Sequence, residues 1–430
     1  MRNVDIDTPH LWRQTARAIP ATRPALAGEV TADVAIVGGG FSALSSAIAA
    51  SEAGLKVAVL ERDYIGSGAS GRNNGLVLSH HSKATTGEVE GVLGQTRGAA
   101  YNGLVAGAPG VVFDLVDRYG IDCDLVREGW IQPAHSEKTT ARARAFHDGW
   151  KAFGAEVEWL DRAAVTARLG APGYVAGWWT KNAGHINPFA LVQGYARAAE
   201  SLGAVVFEGS GVTAIRPEGT RWRVDTAGGS VVAREVVVAT NALTGAFWPK
   251  LQEAMIPVKV FQAATAPVPP DLRETILVGN PAVSDMRRDI RAFHYDAAGR
   301  IVTGGTHTLW HDAARRGMAR TAPMVAETFP ALRGIGMEHY WEGILAVVPD
   351  RLPRLMRLAP GVTFLGVYSG RGVALSTALG RTFGAFLAGN RDEAGLPVPL
   401  TDLRVVPSHG IAVRVASYIH PLHRLQDRLP

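Results

Sequence analysis

The side chains best suited to binding a ligand in this sequence surround a glycine turn at residues 38–40 and an acid at Glu61. Gly38 permits a tight turn, and Gly40 lets the backbone approach a pyrophosphate closely. Ala43 completes the spacing Gly-x-Gly-x-x-Ala, which lets a helix pack closely on a strand. Glu61 can accept hydrogen bonds from the hydroxyl groups of a ribose. These residue types in this order predict that the segment binds a dinucleotide.

The elements around this turn follow the order that a dinucleotide site requires, which is strand, turn, helix and strand. An apolar run rich in β-branched residues precedes the turn, and a second apolar run ends at Glu61. Between them, residues 41–53 form a helix of small residues whose free N–H groups and positive dipole end attract phosphate. We therefore predict that this segment binds FAD, with Phe41, Ser42 and Arg62 among the cofactor-binding residues.

A glycine-rich loop follows the second strand at residues 66–75. It contains four glycines and two asparagines, so positive φ angles and close approach of the backbone to a ligand are easy. Such a loop is either a flexible connector or a segment wrapped against a cofactor, and its position directly after the second strand favours the cofactor. The residues that we expect at the cofactor are Ala69, Ser70, Arg72, Asn73, Asn74 and Gly75.

Length and composition are those of a globular protein with two domains. The chain has 430 residues, of which 47% are hydrophobic and 19% are charged. The net charge is +5, but the sequence contains no dense basic run, so we expect no nucleic-acid partner. A single cysteine, Cys123, excludes an intrachain disulfide and a cysteine-rich metal site and suits the cytoplasm.

We expect no secretory signal and no integral membrane segment. Residues 410–429 predict a basic amphipathic helix, for which packing on its own domain is favoured over contact with a membrane.

A second glycine turn lies near the C-terminus, between an apolar strand and a long apolar helix. The turn has the sequence Val-Tyr-Ser-Gly-Arg-Gly-Val at residues 367–373. Gly370, Arg371, Gly372 and Val373 therefore lie where a strand meets a helix N-terminus, which is the geometry that holds negative charge.

Several stretches that occur in the same order resemble the D-amino-acid oxidase superfamily of FAD-dependent enzymes. The most similar branch contains gamma-glutamylputrescine oxidoreductase and enzymes like glycine and sarcosine oxidase. The stretches that carry the likeness are residues 37–47, 60–75, 183–188, 236–242, 341–355 and 367–381.

The resemblance implies an α/β fold, α+β overall, in which a Rossmann-type FAD-binding domain carries a discontinuous substrate domain built on an antiparallel sheet. We assign the FAD-binding domain to residues 1–90, 181–245 and 341–430, the last with a C-terminal helix. Residues 246–340 form the substrate domain, and residues 91–180 form a mainly helical part shared with it.

The resemblance also places individual residues. The backbone of Val212 would meet the adenine, and Thr240 would lie near the dinucleotide. Arg371, where many relatives carry histidine, would lie at the pyrimidine edge of the flavin and stabilise negative charge there during catalysis. His294 and Tyr295 would face the ligand cavity as catalytic residues, although a pair of this kind on a strand more often serves packing.

Two features found in members of the superfamily are missing. Some relatives attach flavin covalently through a cysteine near the second glycine turn or a histidine in the loop after the first, and neither matches, so we expect non-covalent FAD. Sarcosine-oxidase-like relatives bind a substrate carboxylate with a lysine two residues beyond the second glycine of that turn, where this chain has Ala374. The loss leaves room for an amine, or for a longer substrate whose carboxylate lies elsewhere.

These observations predict an FAD-dependent amine or amino-acid oxidase or dehydrogenase. A hydride would pass from the carbon beside the nitrogen to flavin N5, and the resulting imine would hydrolyse. The substrate would be a small-molecule amine, and the electron acceptor would be oxygen or an unknown carrier. The alternatives are a flavin monooxygenase or an NAD-type dehydrogenase with the same fingerprint, neither of which explains the second glycine turn, and a non-catalytic FAD-binding partner protein.

Overall fold

Two large β-sheets with helices around them form the protein in a computed structural model, which describes residues 10–17, 22–81, 83–289, 291–307 and 313–416. The strands in chain order are β1 Gly28–Val37, β2 Val57–Leu60, β3 Leu76–Val77, β4 Trp130–Ala134, β5 Val157–Leu160, β6 Ala176–Thr180, β7 Gly184–His185, β8 Val205–Phe207, β9 Val212–Glu218, β10 Arg221–Thr226, β11 Gly229–Val238, β12 Ile256–Pro267, β13 Ala282–Ser284, β14 Ala292–Tyr295, β15 Arg300–Thr306, β16 Met337–Val347, β17 Arg354–Ala359, β18 Val362–Gly366 and β19 Leu400–Asp402.

The α-helices in chain order are α1 Leu11–Thr15, α2 Phe41–Glu52, α3 Ala69–Arg72, α4 Thr86–Leu93, α5 Gln95–Arg118, α6 Glu137–Ala152, α7 Arg162–Leu169, α8 Pro188–Ser201, α9 Pro270–Arg273, α10 Ala313–Thr328 and α11 Gly372–Leu387.

The nine-stranded sheet contains the predicted dinucleotide-binding unit. Its main order is β19-β17-β18-β11-β1-β2-β8, and β10 and β9 continue from β11 as a meander. β1 pairs in parallel with both β2 and β11, and the last four residues of β1 are buried because both faces of the sheet are covered there. The carboxyl ends of β1 and β11 therefore meet at one edge, where ligands of such sheets bind.

The helices that follow the two glycine turns pack directly on each other. Ser46 Oγ, on α2, donates a hydrogen bond to the carbonyl oxygen of Gly380, on α11, at 2.9 Å. A Cβ atom on Gly380 would lie 2.5 Å from the carbonyl oxygen of Ser42, and one on Gly384 would lie 2.5 Å from that of Ser46. Because these approaches require residues without side chains, the two glycines set the distance between the helices.

The eight-stranded sheet has the order β16-β12-β15-β14-β13-β4-β6-β5 and is largely antiparallel. Its strands come from two separate parts of the chain, since β4 to β6 lie within residues 130–180 and β12 to β16 within residues 256–347. On β12, Val258, Val260 and Gln262 alternate toward the space between the two sheets, as the period of a strand requires. A mixed α/β structure with a second, antiparallel sheet confirms the predicted fold class.

Two predicted boundaries differ in the structure. The sequence predicts one strand at residues 230–233 and another at 236–240, but β11 is continuous because its first half also pairs with β10 and its second half with β18. The sequence also predicts that the substrate domain ends at residue 340, whereas β16 pairs with β12 up to Val347. Of the predicted C-terminal helix, residues 410–416 are helical, and the rest lies outside the described residues.

One described helix, α5, is long and apolar enough to cross a membrane by length and composition. It contains Pro109, and one of its faces packs into the core through Tyr101, Val105 and Val112. In its most apolar window, 44% of the residues are buried inside the protein, and the core helix of a soluble protein passes the same test.

Candidate active site

A cavity of about 990 Å³ lies between the two sheets and reaches both glycine turns. Organic ligands usually occupy cavities of about 300 to 1,000 Å³. The predicted residues that line it are Gly38, Gly40, Phe41, Ser42, Glu61, Arg62, Ala69, Ser70, Arg72, Asn73, Asn74, Val212, Thr240, Gly370, Arg371, Gly372 and Val373. The fold therefore brings residues from all three parts of the predicted FAD-binding domain to one space.

The first glycine turn presents the N-terminus of α2 to the cavity. No side chain caps this helix at Gly40. Phe41 N donates a hydrogen bond to Ser70 Oγ at 3.0 Å, and a Cβ atom on Gly40 would come within 2.9 Å of the same oxygen. The absence of a side chain at Gly40 thus keeps this approach open, and the helix start offers N–H groups to a negatively charged ligand.

Glu61 holds the glycine turn in addition to lining the cavity. Its Oε2 accepts a hydrogen bond from Gly39 N at 2.8 Å, and its Oε1 accepts one from Asp63 N at 3.0 Å. Burial raises the pKa of Glu61, and the two N–H groups act in the opposite direction. The carboxylate therefore supports the local backbone, a role that the sequence pattern does not indicate.

The glycine-rich loop is fixed by side chains from outside it. Trp12 Nε1 donates a hydrogen bond to the carbonyl oxygen of Asn73 at 2.8 Å, and Trp341 Nε1 donates one to that of Arg72 at 2.9 Å. The buried guanidinium of Arg72 donates to the carbonyl oxygen of Glu342, on β16, at 3.3 Å. These bonds hold the loop against the second sheet, so a wrapped loop describes it better than a flexible connector.

The second glycine turn contains strained backbone. Val367 and Ser369 have positive φ angles of 62° and 47°, which are unfavourable for residues with side chains. The side-chain Oδ1 of Asn241 accepts a hydrogen bond from Val367 N at 3.2 Å, and Asn241 also lines the cavity. Strain of this kind persists where the surrounding structure holds it and is common at functional sites.

Arg371 follows the strained turn and is a cation without a carboxylate partner among the described residues. Its guanidinium carbon lies 6.0 Å from the ring centroid of Trp130, and its buried Nε has no hydrogen-bond partner in the part of the chain that the structure describes. Burial lowers the pKa of Arg371 to about 10, so the side chain stays charged at neutral pH. Because a buried charge without a partner is unfavourable, a negatively charged ligand group here would be stabilised.

The cavity has further cationic side chains that the sequence motifs do not reveal. Lys83, Arg288 and Arg351 line it. Among the lining residues that the structure describes, Glu61 is the only acid. The three cations lie in loops, where no periodic pattern indicates which way a side chain points.

His294 and Tyr295 do not line the cavity, which corrects their predicted placement. The buried ring of His294 stacks on Trp12, and its Nε2 lies 2.7 Å from the carbonyl oxygen of Asn74. The hydroxyl of Tyr295 donates to the carbonyl oxygen of Ile276 at 3.0 Å. Both side chains are held by contacts within the protein, so packing accounts for them better than catalysis.

Ala43 and Gly75 are also outside the cavity lining. Ala43, on α2, is fully buried in the core, where its small side chain allows close packing. A Cβ atom on Gly75, which has a φ of 87°, would lie 2.3 Å from the carbonyl oxygen of Ile186. Both residues therefore shape the backbone around the site and do not face a ligand.

Comparison with known proteins identifies the family. Residues 33–385 match the family model described as FAD dependent oxidoreductase. The chain belongs to this family. As an FAD dependent oxidoreductase it is an enzyme, and its cofactor is FAD, held non-covalently. The described residues that line the cavity include no cysteine and no histidine, the two attachment residues expected from the superfamily.

Related FAD dependent oxidoreductases extend over most of the chain. Gamma-glutamylputrescine oxidoreductase from Escherichia coli is 30% identical over 366 residues, which cover 85% of both chains. Glycine oxidase from Geobacillus kaustophilus is 26% identical over 75% of this chain and 83% of its own.

Solved structures show the same fold. The crystal structure of the Geobacillus kaustophilus glycine oxidase has a TM-score of 0.71 at 22% identity and covers 85% of this chain and 96% of that one. L-proline dehydrogenase from P. horikoshii has a TM-score of 0.72 at 19% identity and covers 87% and 96%.

Proposed function

We propose that this FAD dependent oxidoreductase oxidises the C–N bond of an amine or amino-acid-like substrate to an imine, which water hydrolyses. The observation that carries the proposal is one cavity that both helix N-termini reach. Glu61 lines it near the start of α2, and Arg371 lines it at the start of α11. The names of the two related enzymes, gamma-glutamylputrescine oxidoreductase and glycine oxidase, denote a substituted amine and an amino acid as substrates.

The residues present fit FAD. The uncapped N-terminus of α2 and Glu61 would hold the pyrophosphate and the ribose of the ADP half, with Val212 and Thr240 beside it. The uncapped N-terminus of α11 and Arg371 would hold the flavin at its negatively charged edge. When bound, FAD supplies the acceptor for a hydride.

The second sheet provides the surface on which the substrate lies. Val258, Val260 and Ile344 line the cavity and would exclude water from the reacting carbon. In the substrate, the C–H electron pair leaves as hydride while the nitrogen lone pair forms the C=N bond. The amine must therefore be neutral when it reacts, and the chain contributes mainly by orienting the C–H bond.

The charges along the cavity favour a substrate with an anionic group. Lys83, Arg288, Arg351 and Arg371 line it, and Glu61 is the only acid among the described lining residues. Ala374 occupies the position where sarcosine-oxidase-like relatives bind a carboxylate with lysine, and it too lines the cavity. A carboxylate would thus be bound by other cations, farther from the reacting carbon.

Anaerobic photometry of the bound flavin tests the proposal. The FAD-loaded protein is mixed with amines, N-methyl amino acids and glutamylated polyamines, and with NADPH in a parallel sample. We expect at least one amine to bleach the flavin and to yield the corresponding aldehyde or keto acid. Bleaching by NADPH alone would favour a monooxygenase or an NAD-type enzyme, and a flavin that no amine reduces would refute the proposal.

The electron acceptor is determined in the same preparation. Oxygen or a soluble quinone analogue is added to the reduced enzyme, and the return of the flavin absorbance is followed. Fast reoxidation by oxygen with release of hydrogen peroxide would identify an oxidase. Reoxidation by the quinone alone would identify a dehydrogenase.

A further inference from the structure

A second, much smaller cavity lies behind Arg371. It has a volume of about 30 Å³ and shares Arg371, Tyr368 and Arg351 with the large cavity. A cavity of this kind needs about 10 to 15 Å³ to hold one water molecule, so the space suffices for ordered water. It is far below the roughly 300 Å³ of a site for an organic ligand.

The ring nitrogens of His80 lie beside this cavity without a partner among the residues that the structure describes. Both ring nitrogens of His80 are buried and lack a hydrogen-bond partner among the described residues, and the same holds for Arg371 Nε. His80 is 2% exposed and lines the small cavity. A buried N–H group left without a partner costs about 1 to 3 kcal/mol, so ordered water in the cavity would satisfy these atoms.

The imidazole ring of His80 is held in place by two indoles. It stacks on Trp130 with ring centroids 3.6 Å apart, and its ring lies nearly perpendicular to that of Trp178 at 5.7 Å. Trp130 is also the ring beneath the guanidinium of Arg371. Because Trp130 contacts both side chains, the imidazole is fixed near Arg371, which lines the large cavity.

The residues that line the small cavity include both buried and exposed ones. Asp350 and Arg351 line it and are exposed, whereas His80 is not. The other titratable groups that face it are Arg371, His81, Lys83, Tyr101 and Tyr368. Burial, with the charge of Arg371, holds the pKa of His80 well below its usual value, so the ring is neutral at neutral pH. A neutral imidazole accepts a proton on one nitrogen and can release one from the other.

We propose that the small cavity holds ordered water and that His80, through this water, carries protons between the large cavity and the surface at Asp350. The inference rests on the proposed amine oxidation, because an amine that enters as R–CH2–NH3⁺ must lose one proton before the nitrogen lone pair can form the C=N bond. The N–H bond breaks, and the proton moves by water to one nitrogen of His80. The proton on the other nitrogen leaves to the outer water, so one proton reaches solvent for each hydride transferred.

The test compares His80→Phe with the control His147→Gln in the FAD-loaded enzyme. Phe keeps the stacking on Trp130 but cannot transfer a proton, and His80→Gln replaces it if the Phe variant does not fold. His147 is a buried imidazole, bonded to Asp148 at 2.7 Å, that lines neither cavity. Anaerobic flavin reduction by an amine is followed from about pH 6 to about pH 10, the range below the pKa of a free amine.

In His80→Phe we expect a reduction rate about 100-fold lower at neutral pH, the size of a general-base contribution, and a rise of about tenfold per pH unit. The rise follows because only amine that arrives neutral then reacts. The parent and His147→Gln should show a much flatter profile. A profile of His80→Phe that matches the parent, or a rate lowered equally at every pH, would overturn the relay.

A measurement without amine separates this inference from the proposed function. Flash photoreduction of the bound flavin by an external electron donor takes up one proton for two electrons, and a pH-indicator dye follows the uptake. We expect uptake at least about tenfold slower in His80→Phe than in His147→Gln. Equal uptake rates, or a crystal structure of the oxidised enzyme with a dry small cavity, would refute the relay even if no amine reduces the enzyme.

Discussion

Replacing Arg371 by Met should have opposite effects on the FAD-free protein and on the reduced flavoprotein. Burial lowers the pKa of Arg371 to about 10, which corresponds to roughly 3 kcal/mol of unfavourable free energy for the charged guanidinium at about 1.4 kcal/mol per pH unit. Methionine fills a similar volume without a charge. The melting temperature of FAD-free Arg371→Met should therefore rise, with up to roughly 3 kcal/mol of added stability.

In the reduced flavoprotein the same substitution is unfavourable, because Arg371 would lie beside negative charge that increases on reduction. If roughly 3 kcal/mol of this stabilisation is lost, the two-electron reduction potential falls by about 60 mV, at about 30 mV for each 1.4 kcal/mol. The rate of flavin reduction by substrate should fall by about 10- to 1,000-fold, while FAD binds nearly as well as to the parent.

Two measurements on the same variant test this reasoning. The potential is determined by anaerobic titration against a reference dye, and the melting of the FAD-free protein is followed by calorimetry. Arg381→Met is the matched control, because Arg381 lies on α11, the helix that begins directly after Arg371, but pairs with Glu52 at 2.6 Å outside the cavity. The control should be less stable and keep the parental potential. If Arg371→Met leaves both quantities unchanged, the residue is not beside the flavin.

Four further results are expected. Glu61→Ala should weaken FAD binding by about 1.5 to 3 kcal/mol, since it removes an acceptor for the ribose and the hydrogen bond from Gly39. A flavin-fluorescence titration measures the affinity, and an unchanged affinity would argue against Glu61 as a ligand. Acid precipitation should release all flavin into the supernatant, and colour in the pellet would reveal a covalent bond. His294→Ala should lower the free energy of unfolding by about 2 to 4 kcal/mol, because it removes a buried, packed ring. Tyr295→Phe should leave the rate of flavin reduction by substrate unchanged. A lower rate in Tyr295→Phe would support the catalytic role that the sequence predicts. Burial lowers the pKa of His81 to about 4, so its contribution to stability is full above the unfolded pKa of about 6.5 and is lost as the pH falls toward 4. The melting temperatures of the parent and of His81→Gln should converge as the pH falls over that range. If the two melting temperatures change with pH in parallel, the pKa of His81 is not lowered in the folded protein.

The sequence predicts which residues around the first glycine turn line the cavity, because local patterns determine their positions. Gly38, Gly40 and Glu61 belong to one strand-turn-helix-strand unit, and the structure places all three at the cavity as that unit requires. The turn around Arg371 is local in the same sense. A motif of this kind fixes its own geometry, since each residue is needed at a set distance along the chain.

Other contacts around the cavity could not be predicted in the same way. His294 lies on a strand whose alternation shows that one face is buried but not whether that face borders a cavity. His80 has no motif around it, and its position depends on Trp130, which is distant in sequence and is brought close by the second sheet. Asn241 supports Val367 through a contact across more than a hundred residues, so only the folded structure reveals it.

The backbone contact between α2 and α11 has a consequence for how this enzyme can diversify. Because Gly380 and Gly384 meet backbone atoms of α2, the distance between the N-termini of α2 and α11 is fixed and does not depend on the residues that cover the cavity. The sheet that lies over the cavity can then change its side chains, its loops and even its length without altering the frame that holds the cofactor. The residues over the cavity can therefore differ between related chains while the two helix N-termini stay in place, as expected where function depends on a site carried by a common fold.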